Sequence, residues 1–185
     1  MKIGSIDLSM NGPAITTFDE NVGIFNFLNC KKYYLNIKKY SYDSLALNIF
    51  GDELPEYKSN EERWNKISDW VYNCIKHCDI VSIEGYSYGS KSQTLFQIGE
   101  LCGVVKQKLY LNDIDIISIP PTVIKKFATT KGNANKELLN QYFIKETNIN
   151  LKEIFKQTEK QWNPSSDIID SYYQCKYLLL NKDNT

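Results

Sequence analysis

A carboxylate inside an otherwise apolar strand is the feature of this sequence that most restricts its fold. Ile3, Ile6 and Leu8 surround Asp7 in a run typical of a buried strand, and the strand ends at the turn formed by residues 11–13. Burying a lone carboxylate is unfavourable unless the group is paired or holds a cation. Asp7 therefore either faces a polar cleft or lies on an edge strand beside water, and this run by itself leaves both interpretations open.

Acids recur at two other places where the pattern predicts buried structure. Residues 79–83 form a short apolar strand that ends at Glu84. Asp167 and Asp170 lie three positions apart on a predicted helix, so they share one face. The helix dipole favours acids in a first turn, which accounts for Asp167 better than for Asp170, because Asp170 lies deeper among bulky apolar side chains. If the two strands are neighbours and the helix packs across them, all these carboxylates converge.

Converging carboxylates predict a cation site. Like charges in one cleft raise each other's pKa, and such clusters normally bind divalent cations. Oxygen ligands without histidine or cysteine suit Mg²⁺ or Mn²⁺. Two such ions roughly 4 Å apart form the arrangement that hydrolyses phosphodiesters, with one ion activating water and the other stabilising the leaving oxygen. The pattern therefore indicates a nuclease.

Composition limits the other classes of protein. The chain has 185 residues, of which 42% are hydrophobic and 24% are charged, as expected for one globular domain. No apolar run approaches the roughly 18 to 20 residues that cross a bilayer, and the N-terminus lacks the pattern of a secretory signal. We therefore expect no membrane partner and a cytoplasmic location, in a bacterial cell or in the host of a phage or virus.

Cysteine and histidine do not provide an alternative metal site. The five cysteines are odd in number and have no paired spacing. Cys74 and Cys78 flank His77, the only histidine, but no second ligand pair occurs elsewhere, so a zinc site is not predicted. We expect reduced, mostly buried thiols.

Basic residues are unevenly distributed although the net charge is zero. All 22 of them except Arg63 are lysines, so phosphate contacts would be made by point charges and not by bidentate arginines. Residues 125–136 are the most basic short segment, which suits phosphate binding or a solvated helix end. Residues 30–60 interleave lysine with tyrosine, a mixture that suits phosphate and base contacts or, equally, a solvated strand edge.

The remaining periodicity predicts an α/β chain that begins with an antiparallel meander. Residues 14–18 and 22–28 are β-rich and flank a turn at 19–21, so they follow the first strand as two antiparallel neighbours. A helix is predicted from Asn60, which would cap it. The later predicted elements are helix 93–111, strand 115–119, helices 122–127 and 136–146, the second of these capped by the polar loop before it, and a last helix capped by Ser165 or Ser166 that runs to about residue 180.

Six short motifs occur in a distinctive order. They are Gly4-Ser5-Ile6-Asp7-Leu8-Ser9, Ile83-Glu84-Gly85-Tyr86, Gly99-Glu100-Leu101-Cys102-Gly103-Val104, Pro120-Pro121-Thr122-Val123-Ile124-Lys125-Lys126, Lys131-Gly132-Asn133-Ala134-Asn135-Lys136 and Asp167-Ile168-Ile169-Asp170. Their order resembles the RuvC family of Holliday junction resolvases over almost the whole chain. The resemblance implies one RNase H-like α/β domain, 1–185, with a mixed five-stranded sheet, antiparallel in its first three strands, flanked by helices. Residues of about 30–60 would be a divergent insertion.

The resemblance also implies an activity and a set of site residues. RuvC proteins are homodimers that cut four-way DNA junctions with Mg²⁺, for which Mn²⁺ is the expected substitute. The helix at 91–111 would form the dimer interface. The catalytic, metal-binding acids would be Asp7, Glu84, Asp167 and Asp170. The DNA contacts would be made by Tyr86, Tyr88, Lys125, Lys131 and Lys136.

Departures from the family leave the substrate open. Leu8-Ser9 stands where the family often has Pro-Gly, and bulky Ile168 and Ile169 replace the usual alanines of the last helix. The chain would thus be a divergent member, of phage or viral type, and forks or flaps are candidate substrates beside four-way junctions. The alternatives are an RNase H-type nuclease on RNA–DNA hybrid, a junction-binding protein without cleavage, and a nucleotide-binding module of the actin and sugar-kinase type. The last normally needs two such halves, for which 185 residues are too few.

Overall fold

Six strands form one mixed sheet within residues 1–36, 42–85 and 92–182, which are the residues that the computed structural model describes. The strands are β1 (Lys2–Asp7), β2 (Ala14–Asp19), β3 (Lys31–Asn36), β4 (Ile49–Glu53), β5 (Ile80–Glu84) and β6 (Asp115–Ile119). Their order across the sheet is β4-β3-β2-β1-β5-β6. β2 pairs antiparallel with both β1 and β3, and the other neighbouring pairs are parallel.

This topology confirms the predicted fold class, a mixed α/β sheet whose first three strands are antiparallel and which helices flank. The described sheet has six strands where five were expected, because β4 adds to β3 at one edge. Both β3 and β4 lie in the range of about 30–60 that the sequence marks as an insertion. This range therefore supplies one side of the sheet.

Helices cover both faces of the sheet. They are α1 (Asn60–Ile75), α2 (Ser92–Tyr110), α3 (Pro121–Thr129), α4 (Lys136–Thr147), α5 (Leu151–Ile154) and α6 (Ser165–Asn181). Successive residues of a strand point to opposite faces, so β1 contributes to two cores. Ile6 belongs to the core with Trp64 of α1 and Val105 of α2, whereas Ile3 belongs to the core with Tyr172 of α6. Asp7, an even number of positions from Ile3, therefore faces α6.

The predicted strand at 22–28 is wrong, because the third strand begins at Lys31. The fully buried Lys32 explains the difference: its Nζ donates to the carbonyl oxygens of Phe27 at 2.5 Å and of Cys30 at 2.7 Å. Carbonyls held by this ammonium group do not take part in a strand ladder. Desolvation lowers the pKa of Lys32 to about 8.

Two helix starts show how local capping rules work here. Ser59 caps α1, since its Oγ accepts from the Glu62 backbone N–H at 3.2 Å, so the cap expected at Asn60 is one residue late. The cap of α4 is confirmed, because Asn135 Oδ1 accepts from the Leu138 backbone N–H at 2.9 Å.

The serine caps expected for α6 are wrong. The helix begins at Ser165 after Pro164, and no side chain among the described residues caps it. Both serines lie inside the first turn, where the Ser165 hydroxyl donates to Gln157 Oε1 at 2.6 Å and the Ser166 hydroxyl donates to Asp167 Oδ1 at 3.0 Å. Their side chains thus serve tertiary contacts instead of the helix end.

The five cysteines, all within the described ranges, are free thiols, as predicted. Burial raises the pKa of Cys30, Cys74 and Cys78 to about 12, so these groups stay protonated at neutral pH. No helix in the described part of the chain is both long and apolar enough to span a membrane.

Candidate active site

Parallel pairing of β1 with β5 brings the first two acids together. Ile6 is paired with Ile83, and each is followed by the acid that ends its strand, Asp7 on β1 and Glu84 on β5. The C-terminal ends of neighbouring parallel strands meet at one edge of the sheet, where open α/β sheets commonly bind ligands. The carboxyl groups of Asp7 and Glu84 are close enough to share a hydrogen bond.

Helix α6 brings the other two acids to the same edge. It packs on β1 and β2, and its first two turns carry Asp167 and Asp170. Asp167 is only 6% exposed. The negative charges of Asp167, Asp170 and Glu84 all act on Asp7, so the structure brings the four predicted acids into one group. We refer to Asp7, Glu84, Asp167 and Asp170 as the carboxylate cluster.

Burial raises the pKa of every group in the carboxylate cluster, and repulsion by the other acids raises it further at Asp7, Asp167 and Asp170. Desolvation is the largest cause at each of them. The pKa of Asp7 lies well above the ordinary aspartate value, because the three other negative charges add to its burial. The pKa rises to about 6 at Asp167 and to about 7 at Asp170. The cluster therefore holds protons that an exposed carboxylate would have lost.

Lys136 is the first of two lysines at the cluster. Its Nζ donates to Ser166 Oγ at 3.0 Å and to Asn163 Oδ1 at 3.2 Å, and it lies 4.0 Å from Asp167 Oδ1. The positive charge opposes the rise in the pKa of Asp167. Half of the Lys136 side chain is exposed, so the ammonium group is accessible to an anion that approaches the cluster.

Lys125 is the second lysine at the cluster. It lines a small cavity together with Glu84 and Asp170. Its charge lowers the pKa of both carboxyl groups against the effect of burial. Two of the three lysines predicted to contact DNA phosphate therefore lie beside the predicted acids.

The third lysine predicted to contact DNA, Lys131, does not line the cavity beside Lys125. Lys131 is exposed and lines an open groove of about 420 Å³ with Asn133, Asn135 and Gln141, beside the N-terminus of α4. Its side chain is thus placed on the surface beside the start of α4. Tyr86 and Tyr88 lie outside the described residues.

Comparisons with known proteins agree with this geometry at the level of the fold. No family model and no curated protein matches the sequence. Among solved structures, Thermus thermophilus RuvC aligns with a TM-score of 0.59 and 14% identity, over 100% of this chain and 96% of that one. The yeast mitochondrial Holliday junction resolvase aligns with a TM-score of 0.56 and 14% identity, over 94% and 75% of the two chains. The fowlpox virus Holliday junction resolvase aligns at 0.52 and 15%, over 98% and 99%.

The chain has a RuvC-like fold. In this chain, the pairing of β1 with β5 and the packing of α6 on β1 place the members of the carboxylate cluster at one edge of the sheet.

The residues of the carboxylate cluster fit a hard divalent cation by their chemistry. All are oxygen ligands, and the buried Asp167 Oδ2 has no hydrogen-bond partner among the described residues. Within those residues, no three His, Cys, Asp or Glu side chains are arranged as a ready-made metal site. The carboxyl groups are therefore grouped but partly protonated, and a cation would replace protons as their counter-charge.

Two residues that contact the elements of the site, Arg63 and Gln174, were not identified from the sequence. Arg63 on α1 donates from Nη2 to the Met10 carbonyl at 2.5 Å and also to the Asn11 side chain. It thereby holds the turn between β1 and β2, which follows the strand that carries Asp7. The available signal was that Arg63 is the only arginine in the chain.

Gln174 on α6 was also missed. It lines the small cavity that Glu84, Lys125 and Asp170 share. The signal in the sequence was a polar residue one helical turn after Asp170 on a buried face.

Proposed function

We propose that this protein is a divalent-cation-dependent nuclease that cuts branched DNA, above all four-way junctions. The observation that carries the proposal is the grouping of Asp7, Glu84, Asp167 and Asp170 at the C-terminal edge of β1 and β5. The structural relatives support the substrate class. One is Thermus RuvC in complex with a Holliday junction substrate, aligned at a TM-score of 0.61 and 13% identity, and another is fowlpox resolvase with junction DNA.

In this proposal the carboxylate cluster holds Mg²⁺, or Mn²⁺ in its place. When bound, such ions lower the pKa of an attacking water and stabilise the leaving oxygen of a phosphodiester. The residues of the chain supply the ligands and the surrounding charge. Lys136 and Lys125 lie beside the acids and offset the negative charge that a DNA phosphate brings to the cleft.

A cleavage assay tests the proposed function. Wild-type protein is incubated with a four-way junction, a fork, a flap and an RNA–DNA hybrid, with and without Mg²⁺, and binding to each is measured in parallel. We expect Mg²⁺-dependent cutting of the junction at the highest rate. Preferred cutting of the hybrid would favour an RNase H-type nuclease. Tight junction binding without any cutting would indicate a binding protein.

Replacing Lys131 with glutamine should weaken junction binding and its salt dependence. The lysine is exposed on the groove beside α4, so we expect it to contact one DNA phosphate. Loss of one such contact lowers the slope of log K against log[salt] by about 1. Binding at several salt concentrations measures this slope. Lys145→Gln makes the same charge change on an exposed lysine in the last turn of α4, and equal slopes for both variants would reject the contact.

We also propose that the active species is a homodimer formed through α2. Phe96 and Tyr110 are 70% and 77% exposed, and a Cβ added to Gly99 or Gly103 would meet nothing within 4 Å. At helical spacing these four residues share one side of α2. That side is opposite to the buried residues of the helix and has room for a second copy.

Gly103→Glu is expected to convert the dimer to a monomer. The monomer tolerates the change because the site is open and because glycine is a poor helix former. Light scattering after size-exclusion chromatography measures the mass. Asn73→Glu adds the same charge at an exposed position on α1 and should leave the dimer intact. A wild-type monomer at all concentrations would contradict the dimer.

A further inference from the structure

A row of small polar side chains crosses the sheet beneath α6. Ser5 on β1 is paired with Thr16 on β2 and with Ser82 on β5, and all three are fully buried. Ser5 and Ser82 each lie two positions before an acid of the carboxylate cluster. Because side chains alternate along a strand, this polar row lies on the same face of the sheet as Asp7 and Glu84, two residues before them.

Two residues of α6, Ser171 and Gln174, form hydrogen bonds with this row. The Ser171 backbone carbonyl accepts from Ser5 Oγ at 2.6 Å, and the Ser171 hydroxyl lies 2.8 Å from Thr16 Oγ1. Gln174 is 2% exposed, and its Nε2 donates to the Ile6 carbonyl at 3.3 Å and to Ser82 Oγ at 3.1 Å. The contact between α6 and the centre of the sheet is therefore hydrogen-bonded in a region where apolar packing is usual.

The two bonds from Gln174 join the three elements that carry the acids. Gln174 lies one helical turn after Asp170, the Ile6 carbonyl directly precedes Asp7, and Ser82 is two residues before Glu84. Apolar packing would hold α6 on the sheet but is not directional. Hydrogen bonds with fixed partners set the rotation and the translation of the helix, and a buried amide is costly to leave unbonded.

We infer that Gln174 is a positioning residue: it sets how far the carboxylates of α6 lie from those of β1 and β5, and thereby the affinity of the cluster for a divalent cation. This inference rests on the proposed function for the identity of the site. Groups that orient metal ligands typically change metal affinity or activity by about 10- to 100-fold when they are mutated. Gln174 does not itself need to touch the cation or the DNA.

The test compares Gln174→Leu with Leu178→Ala in the full chain. Leucine keeps most of the volume of glutamine but donates no hydrogen bond. Leu178 is a buried residue of the next turn of α6, so its truncation destabilises the same helix without touching the polar row. Mn²⁺ binding without DNA, followed by electron paramagnetic resonance, reports on the site independently of cleavage. Thermal unfolding without metal measures the loss of stability in each variant.

We expect Gln174→Leu to weaken Mn²⁺ binding by about tenfold or more, and Leu178→Ala to leave it unchanged despite a comparable loss of stability. Ser82→Ala removes only one acceptor of Gln174, so it should weaken Mn²⁺ binding less than Gln174→Leu does. In the double variant with Gln174→Leu, Ser82→Ala should weaken Mn²⁺ binding no further. The milder Ser82→Ala variant keeps the inference testable if Gln174→Leu does not fold. The inference would be overturned if Gln174→Leu, or Ser82→Ala in its place, bound Mn²⁺ as tightly as Leu178→Ala.

The wild-type result separates this inference from the proposed nuclease function. Mn²⁺ binding that depends on Asp7 and on Gln174, without cleavage of any DNA, would reject the nuclease and keep the positioning role. Cleavage by the wild type, together with unchanged Mn²⁺ affinity in Gln174→Leu, would keep the nuclease and reject the positioning role. Absence of Mn²⁺ binding in the wild type would reject both.

Discussion

Replacing Asp7 with asparagine is expected to lower the rate of junction cleavage by at least about a thousandfold, which corresponds to about 4 kcal/mol of transition-state stabilisation. Asp7 lies at the centre of the carboxylate cluster, where all three other acids act on it. A neutral amide is a poor ligand for a hard cation, so the ions that activate water would be lost. The rate is measured with saturating junction DNA and Mg²⁺.

The same substitution should not weaken junction binding, and it should stabilise the metal-free protein. Asp7 is buried among like charges, so removing its ionisable group relieves desolvation and repulsion. Asp115→Asn is the matched control, because Asp115 is an exposed acid at the start of β6. Normal cleavage by Asp7→Asn would reject the catalytic role, and loss of folding together with cleavage would make Asp7 a structural residue.

Adding Mg²⁺ should raise the melting temperature strongly at about pH 8 and very little at about pH 5. Each carboxyl group of the cluster has a folded-state pKa above its unfolded value. The protonated forms therefore stabilise the fold at low pH, and this stability is lost as the pH rises through about 6 for Asp167 and about 7 for Asp170. Mg²⁺ replaces the lost protons above this range and competes with them below it.

The expected size of this effect follows from binding linkage. Mg²⁺ at about 100 times its dissociation constant adds about 2.7 kcal/mol, which for a chain of this length is about 5 to 10 °C in the melting temperature. Differential scanning fluorimetry at several pH values, with and without Mg²⁺, measures it. Asp170→Asn should reduce both the pH dependence and the Mg²⁺ effect. An equal Mg²⁺ effect at every pH would contradict proton–metal competition at the cluster.

Local sequence patterns predicted much of the fold. The strand β6 and the helices α1 and α4 begin at or next to the predicted residues, since hydrophobic periodicity and capping depend on neighbours within a few positions. The third strand was misplaced because Lys32, fixed by tertiary burial, holds the carbonyls of Phe27 and Cys30. β4 was not predicted, because among the described residues it pairs with one strand, β3, and lies at the edge of the sheet.

The sequence by itself determined that Asp7 lies in an apolar strand, that Glu84 ends another, and that Asp167 and Asp170 share a helix face. These patterns are local, since side chains repeat every two residues along a strand and every three to four along a helix. Only the tertiary structure decided that β1 lies next to β5, that α6 packs across them, that Gln174 bonds to both strands, and that Arg63 bonds to the turn after β1. Strand order and helix docking depend on contacts between residues far apart in the chain. One sequence records the residues that make those contacts but not which residues meet.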